Sequence, residues 1–125
     1  MKILLKTIPH SQQRYDTCGD WENLPDGSLR ISVSDMGNED YAFLVAIHEA
    51  IEVWLCNKRG ITDEVVSAFD IEFEKNRPED DISEPGDHPD APYRKEHFFA
   101  TSIERMIAAE LNVDWTKYDE AVMSL

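Results

Sequence analysis

Positive charge is what this 125-residue chain has least of: 12 Lys and Arg stand against 26 Asp and Glu, a formal charge of −14. Holding a phosphate backbone or an anionic membrane surface requires a basic footprint, so the balance argues against nucleic acid and against membranes as partners. Cysteine is scarcer still. Cys18 and Cys56 cannot build a disulfide framework, and Cys56 lies in an apolar stretch, so both are expected to be reduced thiols of a cytoplasmic protein. Long apolar runs are missing as well. Ile3-Leu4-Leu5 falls short of a signal-peptide core of about seven residues, and no run approaches the roughly 20 residues of a membrane span.

What is present suffices for one core. The chain is 42% hydrophobic, with three Trp, four Tyr and five Phe, too rich in large apolar groups for an acidic disordered segment. Its length fits a single domain over residues 1–125. The surplus of acids suits a bound cation, a basic protein partner or a solvated surface.

Residues 2–8 suit a strand. Pro25-Asp26-Gly27-Ser28 reads as a turn, and after it Ser28–Ser34 alternates, placing Leu29, Ile31 and Val33 on one face. Residues 18–24 and 28–34 should form a hairpin, with residues 2–8 added to it. A first helix is expected from Asn38 or Asp40 to Lys58-Arg59-Gly60, and a second from Thr62 to about Asn76. Residues 78–92, rich in Pro and acids, read as an irregular surface loop. A third helix is expected from Asp90-Ala91-Pro92 to about Leu111 with a core stripe of Ile103, Ile107 and Leu111, then a short one from Asp114 to about Met123 carrying Trp115, Tyr118 and Val122. The fold class is therefore α+β: a small N-terminal antiparallel sheet packed against three to four helices.

The chemistry concentrates in the first helix. Of the fifteen residues 42–56, twelve are apolar, and the exceptions are His48, Glu49 and Glu52. A helix apolar nearly all round is buried on most faces, and buried carboxylates need partners or a metal. His48 and Glu52, four apart, stack on one helical face and can converge on one ion. Glu49, about 100° around the helix, can hold a water beside that ion. In His-Glu-x-x-His metallopeptidases two histidines bind zinc and the intervening Glu is the general base. Here Glu52 occupies the place of the second His, which hardens the site and widens the choice from zinc to manganese, iron or magnesium.

Among the other histidines, His97 near the start of the third helix is the first choice for a third ligand, with Glu104 on the same face as an alternative ligand or an orienting group. Asp70, between Phe69 and Ile71, could ligate, accept from an imidazole, or lie at the surface. His10 and His88 read as solvated. Cys56, one turn beyond Glu52, reads as core rather than ligand.

The order of elements resembles a minimal zincin, in which a small sheet leads into the motif helix and a later helix supplies the third ligand. That resemblance implies His48 and Glu52 as ligands and Glu49 as base. The stretches His48-Glu49-Ala50-Ile51-Glu52, Ala68-Phe69-Asp70, Glu84-Pro85-Gly86-Asp87 and Glu96-His97-Phe98-Phe99-Ala100-Thr101-Ser102-Ile103-Glu104-Arg105 are similar to small phage and prophage proteins of unassigned function, which implies no activity.

Three functions follow as expectations. The first is a metal-dependent hydrolase of a peptide or small substrate, in which Tyr93, Arg94 or His88 stabilises the oxyanion. The second is a non-enzymatic acidic protein, with a structural metal or none, that engages a basic partner such as a host nucleic-acid enzyme. The third is a magnesium-dependent nucleotide pyrophosphohydrolase using Glu49 and Glu52 with Asp70 and Glu72 or Glu74.

Overall fold

The structure, a computed structural model, describes all 125 residues. In chain order they form β1 (Ile3–Ile8), β2 (Gly19–Asn23), β3 (Leu29–Ser34), α1 (Glu39–Lys58), α2 (Asp63–Asn76), α3 (Arg94–Glu110) and α4 (Trp115–Met123), with 3-10 turns at His10–Gln12 and Pro85–Asp87. The class is α+β. No helix is long and apolar enough to cross a membrane.

The hairpin forms as the turn signal and alternation require. β2 and β3 are antiparallel with Trp21 opposite Ile31. Gly27 takes a φ of 85° in the turn, and the Asp26 carboxylate accepts from the Ser28 N–H at 2.9 Å. Leu29, Ile31 and Val33 are buried beneath α1.

The sheet is mixed, however, rather than antiparallel. β1 pairs with β3 in parallel, from Ile3 opposite Leu29 to Ile8 opposite Ser34, in the order β1-β3-β2. The chain reverses once between β1 and β2 and again in the hairpin, so β3 returns along the direction of β1 and slots between the two. Parallel neighbours need such a crossover.

Helix boundaries are set by side-chain caps. The Asn38 side-chain oxygen accepts from the N–H groups of Asp40 and Tyr41 at 3.0 and 3.2 Å. The Thr62 hydroxyl accepts from Val65, and Asp114 accepts from Lys117. α1 runs back over β3 and β2 and packs along its length against α3.

Two expectations about α3 are corrected. α3 begins at Arg94 rather than at residues 90–92, which turn with the Ala91 N–H donating to the His88 carbonyl. Its buried face is Glu96, His97, Ala100, Glu104 and Ala108, while Ile103 and Ile107 are half-buried and Leu111 is exposed. The small alanines let α3 approach α1 closely, and the ionisable groups are turned inward because they find partners there. α1 is buried or half-buried on most faces, as its apolar make-up requires. The sheet and α3 cover two sides, leaving Phe43 48% and Trp54 42% exposed.

Candidate metal centre

α1 delivers His48 and Glu52 one turn apart, and α3 lays His97 across them. His48 Nε2, Glu52 Oε2 and His97 Nδ1 form a triangle with all three sides 3.2 Å. Donors bound tetrahedrally at about 2.0 Å from a zinc ion stand about 3.3 Å from one another. The three atoms therefore already have the spacing of one face of a zinc coordination tetrahedron, and all three residues are buried.

The remaining atoms of the three residues are engaged elsewhere, which aims the inner ones. His48 Nδ1–H donates to Glu104 Oε2 at 2.8 Å, and Glu104 Oε1 accepts from the Tyr118 hydroxyl of α4. Glu52 Oε1 accepts from the Trp21 indole N–H of β2 at 3.2 Å, leaving Oε2 for the triangle. His97 Nε2 lies 3.0 Å from Glu84 Oε2 and 3.3 Å from Asp87 Oδ1. Both imidazoles thus have a carboxylate on the far nitrogen, the arrangement that fixes tautomer and ring orientation in metal-bound histidines.

Local backbone supports this. The turn at Pro85–Asp87 is pinned by reciprocal bonds between Glu84 and Asp87, and Gly86 presses so close to the His97 ring that an added Cβ would fall 2.6 Å from Nδ1. Gly19 does the same for Glu49, where a Cβ would meet Oε1 at 2.6 Å. Glu49 is half-buried, has no hydrogen-bond partner, and lines a cleft of about 420 Å³ that His48, Glu52 and His97 also line.

Electrostatics separate the two glutamates. Burial alone would lower the His48 pKa, but bonds to Glu104 and Glu52 outweigh it and hold it at about 10. Burial likewise opposes charge on His97, and contacts with Asp87, Glu52 and Glu84 lift it to about 12. Glu52 would be raised by burial, yet the two imidazoles pull it down to about 2. Glu49 has no cation of its own at bonding distance, so burial and the Glu52 charge push it well above the ordinary carboxylate range. A metal ion must compete with protons for the same two nitrogens.

Other residues singled out from the sequence go to different places. Asp70 is buried but reaches neither metal triangle nor imidazole. It accepts from Tyr15 at 3.1 Å and from the Tyr93 hydroxyl, and burial lifts it to about 7 against those two bonds. Glu72 turns outward to Asn76, and Glu74, which lines the same cleft as Asp70, Glu49 and Glu52, is held by Arg77 at 2.6 Å. Cys56 is fully buried in the core. His10 is half-buried and bonded to Ser34 and Asp16 rather than solvated. His88 is half-buried against Phe69 and Phe73. Of the three oxyanion candidates Tyr93 alone lines the cleft. Tyr93 is engaged by Asp70, Arg94 lies over the Phe98 ring, and His88 is among those phenylalanines.

Sequence reasoning missed Trp21, Glu84, Asp87 and the polar role of Tyr118. Residues 78–92 do not simply skirt the surface, since their Glu84–Asp87 turn seats His97. The tight Pro85-Gly86-Asp87 sequence was the signal that could have found them, because a glycine in a turn, having no Cβ, permits close approach to a ring. No protein-family model, curated protein or solved structure matches this chain.

Proposed function

We propose that the protein is a zinc-dependent hydrolase of the peptidase-like kind, with His48, Glu52 and His97 holding the ion and Glu49 as general base. The observation that carries this reading is the equilateral triangle of donor atoms at 3.2 Å, with the far nitrogen of each imidazole held by a carboxylate. Two imidazole nitrogens and one carboxylate oxygen suit zinc, with manganese or iron next, better than magnesium, which prefers oxygen and water.

A bound ion of this kind polarises a carbonyl and lowers the pKa of water. The chain supplies the rest. Glu49 sits beside the triangle, unpaired and facing the cleft, where it can take a proton from water and pass it to a leaving group. Glu52 remains ionised as a ligand, and Gly19 leaves room for the Glu49 side chain to stay on the cleft side of β2. The zincin-like logic is retained with Glu52 in the position of the second histidine.

The test begins with metal content after purification without chelator or affinity metal. About one equivalent of zinc is expected in wild type, and its loss in His48→Ala and His97→Ala. Glu49→Gln should keep the metal and lower cleavage of a mixed-sequence peptide library by about 10²–10⁴-fold. No zinc, manganese or iron binding on titration would end the metal reading, and unchanged cleavage by Glu49→Gln would end its role as base.

A further inference from the structure

The cleft at the metal centre is more acidic than the chain that builds it. Twelve of the residues lining it are Asp or Glu, and Arg77 is the only Lys or Arg among them, in a chain with 26 acids and 12 bases. Many of those acids already have partners. Glu52, Glu84 and Glu104 face the two imidazoles, Asp70 accepts from two tyrosines, and Asp20 is paired by Arg14 at 2.6 Å. Arg77 is engaged too, since its guanidinium pairs with Glu74 at 2.6 Å and lies 4.9 Å from the centre of the Phe73 ring. Asp63, Glu79 and Asp81 have no Lys or Arg at ion-pair distance, and Asp16 meets only His10.

These four acids gather at one end of the cleft. The loop carrying Asp16 is tied to α2 by Tyr15, which donates to Asp70 at 3.1 Å, and by Arg14, which donates to Ser67 at 3.4 Å. Beyond α2 the chain folds back, with Arg77 donating to the Asp81 carbonyl at 2.8 Å. Asp63, in the first turn of α2, accepts from the Asn23 N–H, and Asn23 is bonded to Asn57 near the end of α1. The opposite end is apolar. Trp115, Val122 and Met123 of α4 line it, with Asp119 as its one acid. Tyr118 sets α4 near the start of α1 through an edge contact with Tyr41 at 5.2 Å. Arg105 stacks on Trp115 at 4.5 Å without lining the cleft. The cleft thus follows α1, with His48, Glu49 and Glu52 between an acidic end and an apolar one.

We propose that the cleft takes a cationic peptide, seating its lysine or arginine side chains among Asp16, Asp63, Glu79 and Asp81. The proposal rests on the hydrolase reading for the reaction that follows binding, while the choice of ligand rests on the charges alone. A cleft lined by one sign of charge concentrates ligands of the other sign and repels its own. A carboxylate entering here meets no free guanidinium or ammonium, so acidic peptides and the carboxyl terminus of a chain are both disfavoured. A peptide carries positive charge on its side chains and on its amino terminus. Four acids drawn from three segments suit several charges, which side chains supply and a single terminus does not.

Fluorescence anisotropy on Glu49→Gln, with zinc added, measures binding without turnover. The probes are labelled peptides of equal length with both termini blocked, rich in Lys, in Gln or in Glu, and a second Lys probe with a free amino terminus. The blocked Lys peptide should bind about tenfold or more tighter than the Gln peptide at low salt, and the Glu peptide weakest. The difference should shrink as salt is added. Glu79→Gln combined with Asp81→Asn should remove most of the preference. Glu110→Gln, an exposed acid outside the cleft, should leave it in place.

Equal binding of the Lys and Glu peptides overturns the proposal. So does a preference that falls as far in Glu110→Gln as in the double variant, because overall charge then accounts for it. Selective binding confined to the free amino terminus overturns the side-chain assignment. Lys-selective binding without cleavage of any peptide by wild type upholds the cationic ligand and ends the hydrolase reading.

Discussion

His48 and Glu104 lie 56 positions apart in the chain, and the imidazole Nδ1–H of one donates to the carboxylate of the other at 2.8 Å. Tyr118 holds the second oxygen of that carboxylate. A donor on α1 is thereby aimed by an acid on α3, which is in turn aimed by a phenol on α4.

If this relay positions a metal ligand, Glu104→Gln should lower zinc affinity by about 10–100-fold while leaving the stoichiometry at one. Tyr118→Phe should act in the same direction more weakly, because it leaves the His48 contact in place. Competition against a chromophoric chelator reads both. Equal affinity in wild type and both variants would reduce Glu104 to a packing residue.

The two crowded glycines should separate ion from base. Gly86→Ala drives a methyl into the His97 ring from a turn that its own hydrogen bonds pin. It should cost about 1–3 kcal/mol of stability through overpacking and lower metal affinity with it. Gly19→Ala instead displaces Glu49, so zinc content should persist while hydrolysis falls. Thermal melts, metal analysis and peptide cleavage, measured on the same samples, distinguish the two.

The charges of the cluster predict how stability follows pH in chelator. His48 and His97 have folded pKa values of about 10 and about 12 against an ordinary 6.5. The folded state binds these protons more tightly, so their contribution is full below 6.5 and is lost as pH rises through the folded values. Glu52, at about 2 against an ordinary 4.5, contributes above 4.5 and loses that contribution as pH falls toward 2. These three groups therefore stabilise the metal-free protein most between about pH 4.5 and 6.5. Zinc reverses the alkaline limb, since it binds the deprotonated rings, so the rise in Tm on adding zinc should grow with pH. Calorimetry with and without zinc measures this, and a zinc shift independent of pH would separate the ion from these imidazoles.

Much of the fold was legible because the signals are local. Asn38, Thr62 and Asp114 each cap the helix that follows, and the alternation of Leu29, Ile31 and Val33 sets which side of β3 is buried. The direction of β1 was not legible, since six residues of apolar strand can pair either way and only the route through β2 and the hairpin decides. The inward face of α3 was misread for a related reason. Ile103 and Ile107 carry the stronger apolar signal, but the alanines at 100 and 108 permit the close approach, and Glu104 goes inward because His48 and Tyr118 are there to meet it.

The sequence by itself determined that His48 and Glu52 share a site, because four residues on a helix fix two side chains on one face whatever surrounds them. It also determined that these groups lie in an apolar helix and so require partners. The tertiary structure alone decided that His97 completes the triangle, that Trp21, Glu84, Asp87 and Glu104 aim its members, and that Glu49 is left free at the cleft. Those contacts join residues from the sheet, the Glu84–Asp87 turn and two further helices. Their distances depend on how all of these pack together, which is a property of the whole core rather than of any stretch of chain.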